Sequence, residues 1–122
     1  MNLQIKKTGE VVLLSPLKQL DTTTTTEFKA RVVDLINQGS NFFLLNLSQV
    51  DFVDSSGLGA MISILKTLTL NNGDIVLCNL NSSVLNLFNL TRMNSVFKIC
   101  SNEEEGLKFL AESRKKLSAK RI

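Results

Sequence analysis

The chain has 122 residues, 43% hydrophobic and 20% charged, with a net charge of +3, proportions ordinary for a soluble globular protein. It contains no histidine, so neither a Ser-His-Asp nor a Cys-His nucleophile system can be built, and zinc would be left with two thiolates far apart in sequence. No apolar run reaches the roughly 18 residues that a membrane helix needs.

One domain spanning 1–122 is expected, burying roughly two-thirds of the surface exposed by the unfolded chain. The start, Met1 to Lys7, has no apolar segment of signal-peptide type before its first charges, and the expected compartment is the cytoplasm. In chain order, Leu3 to Lys7 and Val11 to Leu14 flank Thr8-Gly9-Glu10, the pattern of a hairpin. Pro16 marks the edge or the end of its second strand. Asp21 opens the polar stretch Thr22 to Thr26, which leads into a helix with Phe28, Val32, Leu35 and Ile36 on one face. Thr24 and Glu27 have the spacing of a capping box, and Gly39 is a natural stop.

Phe42 to Leu47 reads as a strand buried on both faces of a sheet. Asp51 to Gly59 follows as a turn, then a helix from about Ser56 to Leu70 with Leu58, Met61, Ile62, Leu65 and Leu68 at helical spacing. Asn71-Asn72-Gly73-Asp74 ends that helix and leads to a strand over Ile75 to Asn79. Ser82 or Ser83 caps a short helix bearing Val84, Leu85, Leu87, Phe88 and Leu90. Val96 to Ile99 is the last strand. Ser101 and Glu104 form a second capping box before a helix with Leu107, Leu110, Ala111 and Leu117 on one face. From about residue 114 the basic run Arg114, Lys115, Lys116, Lys120 and Arg121 reads as a solvated helix end or tail. No aromatic residue is interleaved with these charges to stack on bases, which argues against direct nucleic-acid binding. Cys78 and Cys100 lie in or beside apolar strand-like stretches and are expected to be buried free thiols.

The predicted order is β-β-α-β-α-β-α-β-α, an α/β layered domain with a mixed, mostly parallel sheet flanked by helices. Asp51 to Gly59 falls at the carboxyl end of a strand, where such sheets engage ligands and partners. Asp54, Ser55 and Ser56 at the helix start have a plain structural reading as caps, with Gly57 and Gly59 relieving a tight turn. They also have a functional reading, because backbone amides and the helix dipole at that position favour an anion such as a phosphate. No Gly-x-Ser-x-Gly segment, Walker loop or Gly-x-Gly-x-x-Gly is present. The serines are therefore read as substrate rather than catalyst.

Asp54-Ser55-Ser56-Gly57-Leu58-Gly59, preceded by the apolar strand Phe42 to Leu47 and by Asp51-Phe52-Val53, resembles the signature of the STAS domain family. More narrowly it resembles the bacterial anti-sigma factor antagonists. Leu20-Asp21 before the first helix, Gly73 before the Ile75 strand, and Val96 to Ile99 with Glu103 to Leu107 match in kind and order. The resemblance implies a non-enzymatic phosphorylation switch. Ser56 would be the phosphoacceptor, with Asp21, Asp54, Ser55, Gly57, Leu58 and Gly59 at or near the partner surface and no cofactor or metal. The unphosphorylated form would bind an anti-sigma factor that is itself the serine kinase and so release a sigma factor, while a separate metal-dependent phosphatase would reset it. The chain departs from the family in having Lys18-Gln19 where a glycine often precedes the Leu-Asp pair, in its threonine run, and in its basic end.

Two further readings stay open at this level. One keeps the fold but makes the chain a constitutive scaffold subunit of a membrane transport ATPase, docking by an apolar helix face without inserting in the membrane. The other is a nucleotide-binding or weakly hydrolytic enzyme using Asp21 and Asp54 around a metal. Oligomeric state is not legible in the sequence.

Overall fold

The computed structural model describes residues 1–119. Strands β1 (Leu3–Thr8) and β2 (Val11–Pro16) form the expected antiparallel hairpin, and Pro16 ends β2. After β3 (Lys18–Leu20) come α1 (Thr25–Asn37), β4 (Phe42–Asn46), β5 (Val50–Val53) and α2 (Ser55–Leu70). They are followed by β6 (Asp74–Cys78), α3 (Ser82–Leu90), a single 3₁₀ turn at Met93–Ser95, β7 (Lys98–Cys100) and α4 (Glu103–Ala119). The main sheet has the order β1-β2-β4-β6-β7 and is parallel except for β1. This is the expected mixed, mostly parallel α/β architecture.

The sheet is buried on both sides, and the period-2 alternation of its strands divides the core in two. Val12, Leu14, Phe43, Leu45, Ile75 and Leu77 face α1, α2 and α3. Val11, Leu44, Val76, Cys78 and Cys100 face Leu110 of α4. On α4, Leu110 is fully buried and Leu107 and Leu117 are half-buried, but Ala111 faces solvent, where the sequence pattern had put it on the inner face. Gly106 takes its place, close against Leu44. On α2 the inner face is carried by Leu58, Met61, Ile64 and Leu68, while Ile62 and Leu65 lie at its margin. In the basic run, Arg114 lies over the Phe42 ring at 5.9 Å and Lys115 pairs with Glu112 at 3.9 Å. Lys120 and Arg121 fall outside the described residues.

Two short strands were not anticipated. Lys18–Leu20 and Val50–Val53 pair in parallel as a separate two-stranded ribbon, with Leu20 opposite Val53, so half of what read as a single turn from Asp51 onward is extended. The last strand is shifted from Val96–Ile99 to Lys98–Cys100. Val96 closes the preceding 3₁₀ turn by bonding Met93 O at 3.0 Å, while Phe97 packs its ring against Phe88.

The helix caps differ from the expected ones in a consistent way. Thr24 sits at the N-cap of α1 but makes no cap bond. Its hydroxyl instead donates to Gln19 O at 3.0 Å and accepts from Asp21 N–H at 3.1 Å, and the Glu27 carboxylate is taken by the amine of Met1. Asn81, not Ser82 or Ser83, caps α3: its Oδ1 accepts from Val84 N–H at 2.9 Å while its Nδ2 donates to Val50 O at 2.7 Å. Asn102, not Ser101, caps α4 by accepting from Glu105 N–H at 2.9 Å. An asparagine side chain can cap a helix and hold a second element at once, which a serine hydroxyl reaches less easily. Gly39 ends α1 as expected, with φ +102 and a bond from its own N–H to Ile36 O at 2.9 Å. At the end of α2 the left-handed residue is Asn72 (φ 58) rather than Gly73.

Candidate functional site

Asp54 follows β5 in extended conformation (φ −108, ψ −173) and caps α2. Its Oδ1 accepts from Ser56 N–H at 2.9 Å, from Gly57 N–H at 3.1 Å and from the Ser56 hydroxyl at 2.6 Å. The cap is therefore the aspartate, and Ser56 is held by it rather than capping the helix itself. A carboxylate in this position satisfies helix N–H groups that lack an intrahelical partner and lies at the positive end of the helix dipole. The Ser56 hydroxyl, followed by the Gly57, Ser56 and Thr22 amides, holds the Asp54 carboxyl below its ordinary range against a smaller opposing cost of burial. At neutral pH Asp54 is ionised and Ser56 donates to it.

A second turn of the same kind lies alongside. Asp21 Oδ1 accepts from Thr23 N–H at 2.9 Å and from the Thr23 hydroxyl at 2.6 Å. Parallel pairing sets Leu20 opposite Val53, so Asp21 and Asp54 leave adjacent strands at the same level. Asp54 N–H bonds Leu20 O at 3.2 Å. A Cβ on Gly57 would lie 2.3 Å from that same carbonyl oxygen, so only glycine lets α2 start this close to β3.

The structure brings Asp21, Asp54, Ser55, Ser56 and Gly59 to one end of the molecule. Ser55 and Gly59 are exposed, and Asp21, Asp54 and Ser56 are half-buried. Leu58 and Gly57 point the other way, Leu58 into the core at 8% exposure and Gly57 against β3. Those two support the surface from beneath. Two residues at this end escaped the sequence reading. Phe52, 55% exposed on β5, is a large apolar side chain left more than half uncovered, and its signal was an aromatic residue directly ahead of the turn. Thr23 was visible only as part of a threonine run, because its bond to Asp21 depends on a turn that no local pattern specifies. Among the described residues no group of three or more His, Cys, Asp or Glu side chains is arranged to hold a metal ion. Cys78 and Cys100 are free and buried on neighbouring strands. Burial, then Glu103 and Cys100 nearby, push the Cys78 thiol up to about 12; burial also raises Cys100.

The model of the STAS domain family matches residues 2–120. A Thermotoga maritima protein that carries the provisional name anti-sigma factor antagonist is 33% identical over 103 residues, 84% of this chain and 91% of its own length. The crystal structure of an anti-sigma factor antagonist from Thermotoga maritima, likewise provisionally named, superposes with a TM-score of 0.85 at 31% identity, covering 89% of this chain and 94% of that one. The Bacillus cell fate determinant SpoIIAA in its phosphorylated form shares the fold at a TM-score of 0.69 and 23% identity, with 88% and 97% of the two chains covered.

Proposed function

The chain belongs to the STAS domain family, and we propose that it is a non-enzymatic, phosphorylation-controlled antagonist of an anti-sigma factor, with Ser56 as its switch. Unphosphorylated, it binds an anti-sigma factor that is also its serine kinase, and so releases a sigma factor in the cytoplasm. Phosphorylated, it lets the partner go, and a separate metal-dependent phosphatase restores it. The whole chain, 1–122, acts as one domain, and Asp21, Asp54, Ser55 and Gly59 form the surface around the acceptor while Gly57 and Leu58 brace it. Among the described residues no helix is long and apolar enough to cross a membrane.

The observation that carries this reading is the placement of the Ser56 hydroxyl, half-buried at a helix N-terminus next to Gly57, which packs against the Leu20 carbonyl, and to the exposed Ser55. A phosphate there adds about −1.5 to −2 charges at pH 7. The dipole of α2 offsets part of that charge by roughly 0.3–2 kcal/mol, so the fold survives the modification. Phosphorylated SpoIIAA, a protein of the same fold, supports the point. At an interface fitted to a neutral hydroxyl the same group costs several kcal/mol in desolvation and repulsion. At about 1.4 kcal/mol per tenfold, affinity falls on the order of a hundredfold or more.

The test is a pull-down from lysate of the native host with Ser56→Ala beside Ser56→Asp, followed by incubation of the wild-type chain with the captured partner and Mg-ATP. Ser56→Ala should retain a serine kinase that Ser56→Asp loses, and intact-mass and peptide analysis should place one phosphate on Ser56. Equal capture by both variants, with no phosphate on either serine, would sink the proposal.

A further inference from the structure

We propose that Asp54 is a catalytic residue contributed by the substrate: it is the base that takes the Ser56 proton when the phosphoryl group is transferred. This rests on the reading of Ser56 as the acceptor. A serine hydroxyl has one hydrogen, and here that hydrogen is already committed to Asp54 Oδ1 across 2.6 Å, the length of a charge-assisted O–H···O⁻ bond. A base brought by the kinase would have to break this bond before it could reach the proton. The oxygen lone pairs, by contrast, are free to face an incoming γ-phosphorus.

The bond also sits where it cannot easily be displaced. The same Oδ1 accepts the Ser56 and Gly57 amides, so the carboxylate is fixed by the start of α2, and the start of α2 is fixed against Leu20 O by the absence of a side chain at Gly57. Moving Asp54 aside would uncap the helix. Kinases ordinarily supply an aspartate that orients the substrate hydroxyl and accepts its proton; this chain brings one in place.

In the transfer, Ser56 Oγ attacks the γ-phosphorus of the kinase-bound Mg-ATP. The Oγ–P bond forms, the bond from the γ-phosphorus to the bridging oxygen breaks, and its electron pair leaves with ADP. The proton passes from Oγ to Asp54 Oδ1 and on to water. Phosphoryl transfer is loose, with little bonding to the nucleophile at the transition state. The hydroxyl therefore becomes acidic only as the new bond forms, and a carboxylate of ordinary or lower basicity then suffices to receive its proton. Once the phosphate is in place, Oγ has no hydrogen left to donate to Asp54.

Asp54→Asn tests the assignment. Asparagine caps helices about as well as aspartate and can accept the same amide bonds, but it cannot take a proton. With the kinase recovered through Ser56→Ala and Mg-ATP, the maximal rate of phosphate incorporation at Ser56, followed by intact mass, should fall about a hundredfold, the lower end of what a general base contributes. The melting temperature should stay within a few degrees, and the loss should lie in the maximal rate beyond any change in KM, which a merely structural or partner-binding role would not produce. Asp54→Ser, which also caps, should show the same loss of rate and decides the matter if the asparagine variant does not fold. Incorporation within twofold of wild type in a folded variant overturns the role of Asp54 and leaves Ser56 as acceptor; absence of incorporation into the wild-type chain overturns both.

Discussion

Gly57 and Gly59 stand two residues apart in the same motif, yet the structure gives them opposite roles. A methyl group at 57 would meet the backbone oxygen of Leu20 at 2.3 Å, and a backbone oxygen cannot rotate away as a side chain would, whereas a methyl group at 59 meets nothing within 4 Å. Gly57→Ala should therefore destabilise by about 1–3 kcal/mol, the usual cost of overpacking. Gly59→Ala should stabilise by about 0.5–1 kcal/mol through reduced backbone freedom in the unfolded chain. Paired urea titrations of the two variants check the sign. Asp54 has its own signature in pH. Its folded carboxyl is held below the ordinary range, first by the Ser56 hydroxyl and then by the Gly57 amide, so the unfolded state binds its proton more readily. The stabilisation is complete above the unfolded value of about 4 and is lost as pH falls through the lower folded value. The stability of wild type relative to Asp54→Asn, measured by thermal melts from pH 7 down to pH 2, should thus be flat above pH 5 and decline below about 4. The motif was legible as a string of residues. That Leu58 belongs to the apolar face of α2 was legible from its spacing with Met61 and Leu68; which serine carries the hydroxyl bond was not, because that depends on the direction in which α2 leaves β5.

At the level of elements, the four helices and the strands of the main sheet follow from patterns the chain carries locally: apolar runs for buried strands, helical spacing for α1, α2 and α4, Gly39 and Asn72 at stops. Asp54 and Gly39 cap as expected, but the caps of α3 and α4 did not follow, since Ser and Thr at suitable spacing are common and the choice among neighbours is made in three dimensions. Asn81 shows why. One end of its amide caps α3 and the other holds Val50 O at 2.7 Å, a bond to a residue 31 positions away that no window along the sequence contains. Asn81→Ala should cost about 1–2 kcal/mol, as the cap is lost and a part-buried carbonyl loses its donor, while Ser82→Ala and Ser83→Ala, both exposed, should stay within about 0.5 kcal/mol. Chemical denaturation of the three variants separates the two accounts of this helix start. The ribbon of β3 and β5 was missed for a related reason. Its strands have three and four residues, too few to show alternation, and they exist because each supplies the partner of the other.

Across the whole molecule the sheet separates a large core under three helices from a smaller one under α4 alone. The smaller core contains Cys78 and Cys100 on adjacent strands, with Cys78 fully enclosed and its thiol pushed up to about 12. Reaching the Cys78 sulfur requires α4 to come away from the sheet, and the apolar contacts it would give up make that close to global unfolding; Cys100, on the edge strand β7 and slightly exposed, is the more accessible of the two. A disulfide reagent such as dithionitrobenzoate at pH 8 should leave Cys78 unreacted in the native chain and find two thiols in guanidinium, and the slow native reaction of Cys78 should track the global unfolding free energy across denaturant. The other side of the sheet carries the proposed switch, and there the close approach of Gly57 to the Leu20 carbonyl has a consequence for signalling. Under the proposed function, the turn bearing Ser56 has no second position to fall into when its charge changes. A switch with a moving part can stay where it was last put, and can show a threshold. One that is pinned to its neighbour adds no conformational memory of its own: at steady state the fraction of active molecules is set by the ratio of writing to erasing rates, without hysteresis from this chain. Any abruptness in the response must then arise in the partner.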